Sequence, residues 1–397
     1  MILLLAVLAL QNPPPAPAAQ EELAPQVSVA ENAVFPHAAI SPDGSLIAAT
    51  FVRNGNIEVA LSTDRGRTFR APVIAMDVKG MARPGARRGP RIAVDGQKRL
   101  FIVAPLCFDA AEIAANRAVN ELWVSTSGDL GKTYSPPVRI NDAPKGARES
   151  LFSIALTPAG DLHVAWLDTR EDKGPSLRHA KVSDHGRKAG KSTLVARNLC
   201  DDCAPAIAVD GKGNPALSWW PTAPPKSTRQ PLWCSSANGG AAFSTPAPVT
   251  SAETNVTGCP NESPAVALSA DGKTLALAWS DLRDIIRDPK LDRTVFWTVG
   301  TPPKLPAETP PSTTSFLGQA RPALVFDPKG VPWCAWEEGR NGVQQVYAFD
   351  GGTRREIAVT LPDDAKGAFP TLAAGGGLVA VAYALGEGVA FRILAGK

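Results

Sequence analysis

Apolar positions along this chain recur as a phrase rather than as a helical stripe. A Pro is followed by a short apolar stretch, a Gly-bearing turn and a second apolar stretch. The phrase starts at Pro36 (PHAAISPDGSLIAATF), Pro90 (PRIAVDGQKRLFIVA), Phe152 (FSIALTPAGDLHVAW), Pro205 (PAIAVDGKGNPALSWW), Pro264 (PAVALSADGKTLALAW), Pro322 (PALVFDPKGVPWCAW) and Pro370 (PTLAAGGGLVAVAYA). In the first unit four strand-like runs, His37 to Ser41, Leu46 to Val52, Ile57 to Ser62 and Phe69 to Ala75, are separated by Asp43-Gly44, Asn54-Gly55 and Asp64 to Gly66. Gly, Asn and Asp accept the backbone angles of tight turns, so this punctuation predicts an antiparallel meander. The inner two runs are Ala, Val, Ile and Leu with little polar alternation, the pattern of strands covered on both faces.

A strand-only unit copied at spacings of roughly 50–60 residues must bury its faces against its neighbours. The fold class expected is therefore all-β, a seven-bladed β-propeller, or a six-bladed one if one repeat serves another purpose. The seventh unit supplies only three runs, ending at Phe391 to Leu394. The orphan run Gln26 to Ala30 (QVSVA) is expected to become its outer strand, closing the ring by pairing the two ends of the chain and removing an open sheet edge. Length does not contradict this: the chain has 397 residues, and all-β folds of this kind run long as one unit. Residues 21–397 are expected to form a single propeller domain.

The first segment, MILLLAVLALQNPPPAPAAQEE, has an apolar run from Ile2 to Leu10 and then small residues around Ala16, Ala18 and Ala19. That is the shape of a removable export signal, residues 1–20, although no Lys or Arg precedes the run. The run is too short to span a bilayer. The expected location is outside the cytoplasm, periplasmic or extracellular, the alternative being a cytoplasmic protein with a Pro-rich start. A formal charge of +3 with 20% charged residues shows no basic or acidic block of the kind that nucleic acid or a general polyanion would require.

Two segments carry a resemblance. Ser62-Thr63-Asp64-Arg65-Gly66-Arg67-Thr68-Phe69 and Ser127-Gly128-Asp129-Leu130-Gly131-Lys132-Thr133-Tyr134 both read S-x-D-x-G-x-T-aromatic, and Ser236 to Phe243 reads as a decayed third copy. Each falls between the third and fourth runs of its unit. This resembles the Asp-box of the sialidase or BNR-repeat superfamily, in which Ser and Asp cap turn N–H groups and the aromatic ring plugs between strands. Second strands ending in W-x-D-x-R belong to the same resemblance: Trp166 to Arg170, Trp279 to Arg283 and the variant Trp336 to Arg340 (WEEGR). The resemblance implies a propeller that binds or cleaves glycans, with an arginine triad for the substrate carboxylate, an Asp acid/base and a Tyr nucleophile. The place of the first triad arginine reads Val34-Phe35-Pro36-His37, and Tyr134, Tyr347 and Tyr383 sit off the nucleophile's pattern. The family's mechanism therefore does not transfer residue by residue.

In a propeller the first strand of each blade lines the axis, so residues just before each repeat's Pro converge on one face. Candidate ligand-binding residues there are His37, Arg88, Arg91, Arg148, Asp201, Asn261 and Arg321, with Arg87 and Gln319 beside them. The guanidinium fork matches two oxygens of a carboxylate, phosphate or sulfate at once. Glycoside cleavage instead needs two carboxyl groups, one protonated and one ionised, for which Glu149, Glu262 and Asp202 are the candidates. Against both stands the reading in which these polar groups solvate the channel and pair with one another, and in which the W-x-D-x-R endings form blade-to-blade ion pairs. Trp219 and Trp220 either pack or stack a sugar ring.

Cys200 and Cys203 lead into the fourth unit and Cys259 into the fifth. In an exported chain, Cys259 paired with Cys200 or Cys203 would clamp neighbouring loops, with a C-x-x-C redox or metal site as the rival. Cys107 is placed to join them, while Cys234 and Cys334 read as buried small apolar residues. No cofactor or metal is expected. The leading expectation is a module recognising a glycan or other anionic small ligand at the arginine-bearing face; a glycoside hydrolase of sialidase type and a scaffold with a protein partner on its rim are the alternatives.

Overall fold

Turns built from Asp, Asn and Gly cut the chain into short antiparallel strands, which the computed structural model gathers into seven sheets standing around an axis. The structure describes residues 23–79, 82, 88–108, 111, 121–143, 151–170, 174–222, 229–252, 262–283, 292–312, 318–361 and 363–396. The expected leader, residues 1–20, lies outside them. No helix among the described residues is long and apolar enough to cross a membrane.

Blade 1 consists of Ala33–Ile40, Ile47–Arg53, Asn56–Ser62 and Val73–Met76, each paired with the next. Blades 2 to 7 have as innermost strands Arg91–Val94, Phe152–Leu156, Ala206–Val209, Ala265–Leu268, Ala320–Phe326 and Gly367–Gly375. Each of these touches the next around the axis, and that of blade 7 touches that of blade 1. The ring is closed as the pattern predicts: Val27–Ala30 lies antiparallel on Gly388–Ala395, with Val27 opposite Phe391, and completes blade 7. Seven blades are present, not six.

Departures from the repeat have local causes. The outer strand of blade 1 starts at Val73 rather than Phe69. Thr68 is spent on Asp64, and the Phe69 ring packs edge-to-face on Phe391 of blade 7 at 5.2 Å. Blade 3 places both Lys188–Ala189 and Thr193–Arg197 on its third strand, Ser176–Ser183. In blade 5, among the described residues, only Thr309, bridged to Trp297, stands where an outer strand would run.

The second strands are the core. Every residue of Leu100–Leu106, Leu162–Asp168 and Leu275–Asp281 is buried. Burial of a Leu, Val or Phe side chain in such a layer contributes roughly 1.5–3 kcal/mol, and the blade interfaces multiply that many times.

Within each sheet the start of the inner strand faces the end of the second, as Phe152 faces Trp166 in blade 3. One face of the ring therefore carries the inner-strand starts, and the other carries the turns that follow the third strands. The Ser-x-Asp turns lie on that second face with repeated geometry. Ser62 Oγ donates to Asp64 (2.7 Å) and accepts from Gly66 N–H (2.9 Å), and Thr68 Oγ1 donates to Asp64 (2.6 Å). Ser127, Asp129, Gly131 and Thr133 repeat these at 2.8, 2.9 and 2.6 Å. In the decayed copy Ser236 and Asn238 retain the Gly240 and Ala242 N–H bonds. Gly66 is required by its φ of +81° and by Phe391, which a Cβ there would meet at 2.7 Å.

Candidate functional site

Three adjacent blades, 6, 7 and 1, begin with the same irregularity. Arg321, Phe369 and Phe35 each precede a Pro and hold positive φ (52°, 55° and 57°). Antiparallel pairing slips at each of these places. Pro has no N–H to give the ladder, so the strand bulges there. Holding a side-chain-bearing residue in that conformation costs on the order of 1–3 kcal/mol and re-aims the side chain.

The result is a hollow of about 120 Å³ lined by Phe35, Arg91, Glu262, Ser263, Arg321 and Phe369. Phe35 and Phe369 meet edge-to-face at 5.3 Å. The Arg321 guanidinium lies over the Phe369 ring at 4.4 Å and pairs with Glu337. Glu337 also accepts from Gln344 Nε2 (2.5 Å) and the Phe369 N–H (2.9 Å). Glu262 accepts from Arg293 Nη1 and from the Arg321 N–H, both at 3.2 Å. Gly89 packs against Phe35 so closely that a Cβ would sit 2.6 Å from the Phe35 Cβ.

Arg91 differs from its neighbours. Its Nη1 donates to the carbonyls of Gly89 (3.2 Å) and Pro90 (3.1 Å), and among the described residues no carboxylate pairs with it. Enclosure by the ring pulls its guanidinium down to about 10, still cationic at neutral pH. His37 accepts the Ile92 N–H on Nδ1 at 3.3 Å. Burial first, and then the Arg91 charge, hold it neutral by lowering it to about 3.

The W-x-D-x-R endings are structural clasps. Side chains two apart share a sheet face, so Trp166, Trp279 and Trp336 donate Nε1–H to Asp168 (3.1 Å), Asp281 (2.9 Å) and Glu338 (2.8 Å). Arg170, Arg283 and Arg340 fold back on the same carboxylates. The expectation of blade-to-blade pairing holds for Arg170, which reaches Asp142 beyond the outer strand of blade 2 at 2.8 Å. It fails for Arg283 and Arg340, whose further partners, Glu308 and Glu356, belong to their own blades. Lying at the end of a second strand, these arginines reach the outer edge of their own sheet.

Of the residues expected at the mouth, Arg91, Glu262 and Arg321 are brought together and His37 adjoins them. Arg88 is exposed beside Gly89. Asp201 and Asp202 are exposed in the turn before blade 4. Arg87, Arg148, Glu149, Asn261 and Cys259 lie outside the described residues. Gln319 does not line the mouth: it is fully buried, donating to Glu338 (3.0 Å) and accepting from the Val295 N–H (2.9 Å). Trp219 and Trp220 are buried and pack, which removes the sugar-stacking alternative. Tyr383 is buried and donates to Gln26 Oε1 at 2.6 Å.

Cys203 Sγ lies 3.1 Å from Cys200 Sγ. Cys107 follows the second strand of blade 2, Leu100–Leu106. Cys234 and Cys334 are buried as expected. Sequence reasoning passed over Phe35, Phe369, Glu337 and Arg293. The signal for the two Phe was present, because they occupy the same pre-Pro position as Arg321.

No family model matches the chain, and no curated protein matches it. Solved structures do resemble it. An ulvan lyase, a polysaccharide lyase bound to a GlcA(1-4)Rha3S glycan, superposes with a TM-score of 0.63 at 13% identity, covering 94% of this chain and 96% of that one. An α-L-arabinofuranosidase from Fusarium graminearum, in complex with an iminosugar inhibitor, gives 0.52 at 11%, covering 94% and 98%. A Hadza microbial sialidase gives 0.50 at 14%, covering 89% and 74%. At these identities the likeness is one of fold.

Proposed function

We propose that the channel mouth recognises the anionic group of an acidic saccharide, with Arg91 as its seat. The observation that carries this reading is the charge of Arg91: an enclosed guanidinium given a ring and two carbonyls but no carboxylate by the described residues gains from an incoming carboxylate or sulfate, which it grips with two N–H groups. Arg321, about one-third exposed, lines the same hollow. About 120 Å³ corresponds to the space of a few waters at ~30 Å³ each. A charged substituent fits within it while the sugar ring stays at the mouth against Phe35. The glycan class is supported by neighbours of the same fold that act on saccharides, one of them bound to a glycan containing GlcA. The apolar leader agrees with an exported protein, in the compartment where such glycans are met.

Cleavage is the second reading, because two buried carboxylates, Glu262 and Glu337, flank Arg321. Both are committed to arginine and backbone donors, so binding is preferred.

Calorimetric titration with glucuronate and with glucose separates the outcomes. Glucuronate is expected to bind at least about tenfold more tightly, a difference of about 1.4 kcal/mol, and to lose that margin in Arg91→Ala. Equal affinity for both sugars, or an unchanged margin in Arg91→Ala, overturns the anionic seat. Turnover of aryl glycosides that vanishes in Glu262→Gln would favour the hydrolase.

A further inference from the structure

The leading loop of blade 4 holds two thiols in a tight turn. Cys200, Asp201, Asp202 and Cys203 form the turn between Thr193–Arg197 of blade 3 and Ala206–Val209 of blade 4. Its ends are the first and fourth residues, which a β-turn brings within about 7 Å at Cα, inside the range a disulfide spans. The sulfurs already lie 3.1 Å apart, and both side chains are almost fully buried (3% and 1% exposed).

The turn is fixed from below. The Cys200 N–H donates to the Trp220 carbonyl at 3.0 Å, and Thr222 donates through Oγ1 to the Leu199 carbonyl and through its N–H to the Asn198 carbonyl, both at 2.7 Å. The two aspartates between the cysteines point outward and are exposed. Cys234 and Cys334 sit instead in the central strands of blades 4 and 6. Burial pushes both thiols up, that of Cys234 to about 12, so they are poor sources of thiolate.

We propose that Cys200 and Cys203 form a disulfide within this turn, a covalent staple on the mouth face of blade 4. Both thiols lose their protons, the Sγ–Sγ bond forms, and two electrons reduce the disulfide of a dithiol oxidant to a pair of thiols. The exchange takes place before the turn closes over the sulfurs, and burial afterwards shields the bond from reductants. The staple holds the exposed Asp201-Asp202 step rigid at the rim.

Peptide mass spectrometry of the full chain tests this. The protein is refolded from denaturant in the presence of oxidised glutathione, then denatured, alkylated without reduction and cut with trypsin. Cleavage after Arg197 and Lys212 leaves both cysteines in one peptide, NLCDDCAPAIAVDGK. The expected product is this peptide unalkylated and lighter by two hydrogens, becoming doubly alkylated only after reduction. Double alkylation without reduction overturns the proposal. So does recovery of the peptide cross-linked to the one carrying Cys259, the clamp between neighbouring loops. In Cys203→Ser the two-hydrogen deficit is expected to disappear; its persistence would also overturn the assignment.

Discussion

Arg321 and Glu337 face each other across the first two strands of blade 6, and their ion pair holds a guanidinium over Phe369 of blade 7. Glu337 is 1% exposed and accepts three donors, one of them the backbone N–H of Phe369. It is therefore a positioning residue for the mouth: it fixes two of the three strained pre-Pro residues at once.

Glu337→Ala is expected to destabilise the protein by about 3 kcal/mol, because removing one partner leaves a buried N–H and a half-buried guanidinium without their acceptor. Glu337→Gln, which retains an acceptor, is expected to lose about half of that. Urea unfolding followed by tryptophan fluorescence measures both, and equal stability of the two variants would contradict the assigned role.

A second prediction concerns acid. His163 Nδ1 and His179 Nε2 lie 2.9 Å apart between the second and third strands of blade 3, with Phe243 of blade 4 edge-on to His179 at 5.4 Å. Burial lowers both, His163 to about 4 and His179 to about 3, from 6.5. A base whose folded value is depressed binds fewer protons folded than unfolded, so stability is complete above pH 6.5 and falls as pH drops toward 3. Asp64 and Asp129, lowered to about 2 by their Thr hydrogen bonds, work in the same sense but only below about pH 4. The double variant His163→Leu/His179→Leu is expected to make the fall in melting temperature between pH 6.5 and 4 shallower, the remainder belonging to His37, which burial also lowers to about 3. An unchanged slope in that window would assign the acid loss elsewhere.

The decayed Ser-x-Asp turn offers a repair. Ser236 and Asn238 retain the backbone bonds of the two intact copies, but Ala242 stands where Thr68 and Thr133 donate to Asp at 2.6 Å. Asn238→Asp with Ala242→Thr is expected to raise stability by about 0.5–1.5 kcal/mol, the worth of one added hydrogen bond. Thermal denaturation of the double variant decides it, and a lower midpoint would show that the Thr–Asp bond is not what the turn lacks.

Closure of the ring is the fourth. Deleting residues 23–30 removes the strand opposite Phe391 and the Gln26 acceptor of Tyr383, exposing the edge of Gly388–Ala395. Unpaired edges recruit other chains, so light scattering after size exclusion is expected to show association and thermal scans a lower midpoint. A monomer of unchanged stability would mean that this strand does not close the ring.

Much of the fold was legible because its signals are local. Pro, an apolar stretch and a Gly turn identify a hairpin wherever they occur, and the excess run at Gln26 to Ala30 balanced the deficit after Pro370. Ser62 and Asp64 bond within their own octapeptide, so their geometry could be foreseen. Arg321, Arg91 and Glu262 were legible as members of one face because blade order follows chain order. Their partners were harder to foresee. Gln319 and Arg321 stand two apart where the inner strand of blade 6 begins, yet the first is sealed between blades 5 and 6 and the second lies in the hollow. Glu337 and Glu338 are adjacent, and the pleat sends one to Arg321 and the other to Trp336 and Gln319.

By itself, the order of residues settles what depends on neighbours in the chain: strands, turns, the number of blades and the strand that closes them. Only the assembled ring decides which charges meet. Arg91 remains without a carboxylate among the described residues, while Arg321 and Arg293 each have one, although nothing in their local sequence separates them. The physical reason is distance along the chain: Glu262 meets the Arg321 N–H 59 residues away, and such a contact exists only once seven sheets have packed and turned the starts of their inner strands to one mouth.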